Sequence, residues 1–260
     1  MRKLIKKILK WLNQLVPHAI RIRTDPAAYG INRFMRFIAM EVKPTDRVLD
    51  AGAGSRPYKN YFSHAKYQST DRDHKLIEGG CLKEKHTFIC SLENLPNPDN
   101  SYDVVINTQV LEHVQYPQRV INEFFRILKP GGSLFLTAPQ GWGVHGAPYH
   151  YFNFTKYGLE SLFNNAGFNI IFIEPMGGMF WYLAKRIRTL PNYIFSQYVF
   201  KGEIGSEIFK PGLKAYLLTP FYFLSIPICV WIIPLACFYL DKLDKKRDYT
   251  LNYACCCKKP

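Results

Sequence analysis

The sequence predicts an α/β fold: a mostly parallel seven-stranded sheet with helices on both faces, an amphipathic helix at the N-terminus and an apolar helical insertion before the last strand. Three observations predict it. Short apolar runs rich in β-branched residues alternate with segments whose apolar residues recur at helical spacing, the pattern of strand–helix–strand units. The first run, Arg47–Ala51, opens directly into a glycine turn, Gly52-Ala53-Gly54. The alternation is interrupted once, over 176–248, and a strand-like run follows the interruption.

In chain order, Tyr29–Glu41 has a helical pattern, and Arg47–Ala51 (RVLDA) is a buried strand. Lys66–Thr70 is a second strand ending at Asp71, and Thr87–Cys90 a third. Tyr102–Asn107 (YDVVIN) is a fourth, followed by a helix over Pro117–Leu128. Lys129-Pro130-Gly131-Gly132 stops that helix, since proline cannot continue it and glycine accepts the left-handed cap conformation. Ser133–Ala138 is the fifth strand. Thr155–Asn165 is a helix capped by the Thr155 hydroxyl and stopped by Gly167, before a sixth strand over Phe168–Glu174. Tyr249–Cys257 (YTLNYACCC) is the seventh.

The chain of 260 residues is 48% apolar, enough for one substantial domain with appendages, and its formal net charge of +14 points to an anionic partner. The basic residues concentrate in 2–23, 185–188, 210–214 and 242–247, each beside apolar sequence, which favours an anionic membrane surface over nucleic acid. At the N-terminus Leu4, Ile5, Ile8, Leu9, Leu12, Leu15 and Val16 form one stripe, with Lys3, Lys6, Lys7, Lys10 and Asn13 opposite. That is a helix suited to a bilayer interface, and its lysines interrupt any secretory signal core.

Ala215–Leu240 carries no charge, and its length and basic flanks suit a membrane helix, but Pro220, Pro227 and Pro234 do not suit a straight one. A single crossing would strand the last strand on the far side of the membrane. The expectation is therefore a segment that enters and leaves on one side, as a proline-broken hairpin or an in-plane helix pair. A true single span with a free tail, or a soluble buried hairpin acting as a lid, are the alternatives. The organisation is thus 1–25 amphipathic helix, 26–175 catalytic-type α/β domain, 176–248 membrane-associating insertion, and 249–260 final strand and tail.

Cysteines at 81, 90, 229, 237, 255, 256 and 257 form no CxxC pair and no even framework, so neither a metal site nor disulfides are expected, and a reducing compartment is. Cys255-Cys256-Cys257 is read as strand, with acylation as the alternative. Asn153-Phe154-Thr155 matches a glycosylation sequon and is discounted for a cytoplasmic protein.

A lone glycine turn is a weak signal; order makes it strong. About twenty residues after the turn, Asp71 closes the next strand, where a carboxylate can accept hydrogen bonds from a ribose diol. Then follow Leu95-Pro96, Ser101-Tyr102-Asp103, Val110-Leu111-Glu112-His113-Val114 and Leu128-Lys129-Pro130-Gly131-Gly132. On these blocks the sequence over about 46–175 resembles the class I S-adenosylmethionine (SAM)-dependent methyltransferases, a Rossmann-like family acting on small molecules, lipids and glycan precursors.

The resemblance implies SAM as cofactor. It implies that Asp50, Gly52 and Gly54 line its methionine and ribose end, that Asp71 binds the ribose hydroxyls, and that Asn107 and Thr108 sit beside the methionine part. Where the family often has an Asp–Ala pair facing adenine, this chain has Ser91-Leu92, so Ser91 or a backbone amide would substitute. Asp103 is read as shaping the start of its strand rather than touching a ligand.

Methyl transfer from a sulfonium is a displacement whose rate comes mostly from alignment, so a base matters only for an acceptor that must lose a proton. His113, His145 and His150 are the candidates, the last two in a loop after strand five that resembles a His–Pro–aromatic–Thr loop of glycan- and lipid-pathway methyltransferases. Trp142, Tyr149 and Tyr151 could wall an apolar pocket. The expected activity is methylation of a small-molecule, lipid or lipid-linked glycan acceptor at the cytoplasmic face of a membrane. A soluble methyltransferase with 176–248 as lid, or a non-catalytic SAM-fold binding protein, are the alternatives. No Asn/Asp-Pro-Pro-aromatic motif follows strand four, so nucleic acid is not expected as substrate.

Overall fold

The computed structural model describes residues 2–72, 86–195 and 213–260, so Cys81 and Lys210 lie outside the described residues. Two compact units are present: Ile31–Met176 with Leu251–Pro260, and Met1–Gly30 with Gly177–Thr250.

The first unit is a seven-stranded sheet. Its strands are β1 (Arg47–Ala51), β2 (Lys66–Asp71), β3 (Phe88–Ile89), β4 (Tyr102–Thr108), β5 (Leu128–Pro139), β6 (Asn169–Pro175) and β7 (Asn252–Lys258), in the order β3-β2-β1-β4-β5-β7-β6. β1 pairs in parallel with β2 and β4, and β4 with β5; β7 runs antiparallel between β5 and β6. Strand alternation feeds two cores. Leu49, Val105, Leu134 and Leu136 face one way, against Val120, Phe124 and Ile127 of helix α4 (Pro117–Ile127) and Leu159 and Phe163 of α5 (Lys156–Ala166). Val48, Val104, Ile106 and Phe135 face the other way, against Phe34, Met35 and Ile38 of helix α3 (Pro26–Glu41). The helices thus cover both faces.

The cysteine triplet follows the same alternation, with Cys255 and Cys257 in one core and Cys256 in the other. All three are buried in β7, which leaves no thiol exposed for acylation. The Thr155 hydroxyl accepts from Gly158 N–H at the start of α5, and Gly167 closes it at φ +91°.

Boundaries differ from the sequence expectation most at the starts of β5, β7 and α3, the last at Pro26 rather than Tyr29. α4 ends at Ile127, and β5 starts at Leu128 rather than Ser133. The reason is pairing: Leu128 lies opposite Tyr102, Gly131 N–H donates to the Lys259 carbonyl at 2.9 Å, and Lys259 N–H donates to Gly132 at 3.0 Å. Gly131, at φ +79°, supplies the bend. β7 likewise begins at Asn252 rather than Tyr249.

The second unit is helical: α1 (Arg2–Leu15), α2 (His18–Arg23), α6 (Met179–Phe195), α7 (Leu213–Ile226), a π-helical turn (Pro227–Ile232) and α8 (Ile233–Leu240). The hairpin expected to break at its prolines does not. Leu217–Leu243 is one continuous helix, and the partner of the hairpin is α6. The π turn absorbs Pro227. Pro234 has no N–H for the Val230 carbonyl four residues back, and that carbonyl instead accepts from Arg188 Nη1 at 2.9 Å.

The base of the hairpin is closed by carboxylates. The buried Asp241 accepts from the N–H groups of Gly178 (3.0 Å) and Trp181 (3.0 Å), and Asp244 from Met179 N–H (2.7 Å). They satisfy donors that the first turn of α6 leaves without helical partners. Near the other end, Tyr222 donates to the Asn192 side chain at 2.9 Å. The chain therefore enters α6 and leaves the 217–243 helix at the same end. Leu217, Phe221, Leu224, Ile228 and Ile232 lie along this helix as a solvent-exposed apolar stripe, and Trp11 and Leu15 are exposed on α1.

Candidate functional site

The chain runs outward from β1 in two directions, to β2 and β3 on one side and to β4 and β5 on the other. The carboxyl ends of β1 and β4 therefore flank a topological switch point, where open α/β sheets bind ligands. The glycine turn sits there. Gly52 N–H and Ala53 N–H donate to the Thr70 carbonyl at 2.9 and 3.0 Å, folding the turn against the end of β2. Gly52 has φ +79°, and a Cβ on it would lie 2.6 Å from the Val110 methyls, so only glycine fits. Gly54 has φ +52°, and a Cβ there would meet nothing within 4 Å, which leaves its backbone open to a ligand.

The Asp71 carboxylate is fixed from both sides: Oδ2 accepts from Gly54 N–H at 2.7 Å and Oδ1 from Arg72 N–H at 2.8 Å. Asp50 is buried and accepts from the Tyr67 hydroxyl at 2.7 Å. Burial pushes its pKa up to about 6, against the Tyr67 hydrogen bond and with help from the nearby Asp71 charge. Asn107 is fully buried; its amide donates to the Ala51 carbonyl at 2.8 Å, and its Oδ1 has no partner among the described residues. The Thr108 hydroxyl lies 3.7 Å from Met35 Sδ. Leu92 is buried, whereas Ser91 is exposed and accepts from Glu93 N–H at 3.2 Å.

These features fit a nucleoside ligand. They comprise an open glycine backbone, a carboxylate held in place by two backbone N–H groups, and a buried amide oxygen with no partner among the described residues.

After β4 the chain makes a short 3-10 turn, Leu111–His113, and after β5 it runs through 141–154. Together they form a histidine cluster. The ring centroids of His113 and His145 are 4.9 Å apart, those of His145 and His150 4.3 Å, and those of His113 and His150 5.8 Å. His113 Nδ1–H donates to the Tyr149 carbonyl at 2.6 Å, and His145 Nδ1–H to the Gly143 carbonyl at 3.0 Å.

Glu112 lies at the centre of this cluster, and sequence reasoning assigned it no role. Its side chain is 1% exposed, its Oε1 lies 3.9 Å from Nε2 of both His113 and His145, and neither oxygen has a hydrogen-bond partner among the described residues. Burial raises its pKa to about 7. Burial also lowers that of His113, opposed by the Tyr149 carbonyl and helped by the neighbouring His145, His150 and Arg72. A signal was present: a carboxylate inside the apolar VLEHV run.

The two clusters adjoin. Gly52 abuts Val110, two residues before Glu112, and the Arg72 guanidinium stacks 4.6 Å over the Tyr149 ring. Trp142 Nε1–H donates to the buried Asn252 at 2.9 Å and ties the loop to β7. A groove of about 560 Å³ lies at the other edge of the sheet, beside Asp46, Asp103 and Lys129.

Residues 49–136 match a family described as methyltransferase domain. Over 86 residues the chain is 35% identical to a probable S-adenosylmethionine-dependent methyltransferase of Mycolicibacterium smegmatis, covering 31% of this chain and 34% of that protein. Over 211 residues it is 25% identical to the ubiquinone/menaquinone biosynthesis C-methyltransferase UbiE of Ruegeria sp., covering 73% of this chain and 77% of that one. Among solved structures, a SAM-dependent methyltransferase from Archaeoglobus fulgidus superposes with TM-score 0.52 at 14% identity, over 88% of this chain and 92% of that one. The chain thus spans about a third of one relative's length and about three quarters of another's.

Proposed function

We propose that this chain, whose residues 49–136 match a methyltransferase domain, transfers a methyl group from SAM to a small-molecule or lipid-linked acceptor at the cytoplasmic face of a membrane. The observation that carries the reading is the Gly54–Asp71 pair at the switch point, an open backbone beside an oriented carboxylate.

In this reading the Asp71 carboxylate accepts from the ribose hydroxyls, and Asp50, Gly52, Gly54, Asn107 and Thr108 line the ribose and methionine end. Leu92 and the backbone near Ser91 lie toward the adenine. Bound SAM supplies an electrophilic methyl on a sulfonium. The chain's part is to hold the acceptor in line with that methyl and to exclude water. The loop 141–154 supplies the acceptor side, where His113, His145 and His150 surround and orient the acceptor. The UbiE relatives, named for C-methylation in quinone biosynthesis, support a small-molecule acceptor.

The membrane part rests on the helical unit. The exposed stripe along 217–232, the exposed Trp11 and Leu15, and the lysines of α1 suit a surface that meets lipid. The helix Leu217–Leu243 has 27 residues, about 40 Å at helical rise, enough to cross a bilayer. Yet Arg188 contacts Val230 midway along it, and a cation at the bilayer centre is costly, so shallow in-plane insertion is favoured over a crossing.

Calorimetry with SAM tests the core of the reading: wild type binds, and Asp71→Ala binds far more weakly. Equal affinities would sink it. Labelled SAM with total membrane lipid extract then identifies the acceptor. Co-sedimentation with anionic liposomes, weakened by Lys3, Lys6, Lys7 and Lys10 to glutamate, tests the membrane surface; unchanged sedimentation would remove α1 from it.

A further inference from the structure

We infer that Glu112, His113 and His145 form a binding site for a divalent transition-metal cation of the zinc class. Three ligating atoms, one from each side chain, lie within 4.8 Å of one another. The two carboxylate–imidazole distances are 3.9 Å, and a metal holding these groups at ordinary bond lengths needs about 3.3 Å between donors, so small side-chain shifts complete the site.

The second observation is the state of the ligands. Metal-binding histidines almost always donate their other ring N–H to a carbonyl or carboxylate, which fixes the tautomer and aims the free lone pair. Both histidines here do so: His113 Nδ1–H to Tyr149 and His145 Nδ1–H to Gly143, so in the neutral imidazole Nε2 of each is the acceptor, on the side of Glu112.

The third is Glu112 itself. Its side chain is 1% exposed, and neither oxygen has a hydrogen-bond partner among the described residues. A buried carboxylate in that condition is expensive for a fold to keep, and a cation removes the cost. His150 accepts from His145 N–H on Nδ1 at 3.4 Å, so its Nε2 carries the proton and it is not a ligand.

Two imidazoles and one carboxylate select zinc, iron(II) or their neighbours over magnesium and calcium, which prefer oxygen alone. Three protein ligands leave a coordination position open, as at catalytic rather than structural metal sites. If the loop 141–154 receives the acceptor, which rests on the proposed function, that position takes an acceptor oxygen, and a hydroxyl-bearing acceptor is the class it favours.

The test uses tag-free full-length protein stripped with EDTA and titrated with Zn2+ against a chromophoric chelator. One equivalent should bind, and Glu112→Gln and His145→Ala should each weaken it by at least about tenfold, while His18→Ala, on the exposed helix α2, changes nothing. Circular dichroism and SAM affinity of the same samples separate lost metal binding from lost fold and from failure of the methyltransferase reading. Wild-type protein loaded with Co2+ should show the visible bands of a nitrogen- and oxygen-ligated site, and this arm needs no variant. Wild type binding Zn2+ no better than the two variants, or a Co2+ spectrum of hexaaqua ion only, would overturn the inference whether or not SAM binds.

Discussion

Both edges of the sheet carry polar side chains, and they use them differently. At the amino edge every charge around Arg126 is answered. Its guanidinium donates to Glu123, to Asp99 at 2.7 Å and to the carbonyls of Asn97 and Leu95, and Glu123 also accepts Leu95 N–H. Beside it, Asp103 accepts from Arg47 N–H at 2.9 Å and from Lys129 Nζ at 2.7 Å, which lowers its pKa despite partial burial. At the carboxyl edge Glu112, the Asn107 Oδ1 and His150 Nε2 are buried without partners among the described residues. The first edge is built for stability. The second holds polar capacity in reserve, the condition of a site that meets a ligand.

The comparison breaks most sharply at Asp71. Asp71→Ala should weaken SAM binding by about a hundredfold, some 2.7 kcal/mol, with little change in melting temperature; calorimetry beside thermal denaturation reads both. A large drop in stability with unchanged affinity would make the carboxyl edge a stabilising element like the amino edge.

Arg126→Ala is the mirror experiment. It leaves Glu123 and two carbonyls without their donor and should destabilise the fold by about 2 kcal/mol, a figure held down because the side chain is 30% exposed. SAM affinity of the folded protein should stay within about twofold of wild type.

Glu112→Gln sharpens the contrast through pH. Burial raises the Glu112 pKa from 4.5 to about 7, so between these values the folded state holds a proton that the unfolded state has lost. Stability therefore falls as pH rises through that window. In metal-free protein the variant should equal wild type near pH 4 and exceed it by about 1–3 kcal/mol at pH 8, several degrees of melting temperature. A gain that is the same at both pH values would show that Glu112 is not the titrating group. The smallest effect is expected at Asp103→Asn, about 0.5 kcal/mol by denaturant titration, since both members of its ion pair are partly exposed.

Much of the sheet unit was legible. The strand pattern, the cap at Thr155 and the stop at Gly167 follow from periodicity and from residue types whose local chemistry allows few alternatives. The glycine turn and Asp71 were legible because nucleotide recognition needs them in a particular order along the chain. The start of β5 was not, because Lys129-Pro130-Gly131-Gly132 is a helix stop by local rules, and only pairing with the distant C-terminal segment makes it strand. The prolines of 217–243 misled for the same reason: Arg188, remote in sequence, satisfies the carbonyl that Pro234 leaves.

The sequence alone determined the fold class, the strand ends that bear Asp50 and Asp71, and the resemblance that names SAM, since each is written in residues close together or in motif order. Tertiary structure decided that Glu112 meets His113 and His145, and that Asp241 closes the base of the helical hairpin. Those meetings depend on loops brought together by sheet pairing and helix packing, and short-range periodicity carries no information about which distant side chains will share a desolvated space.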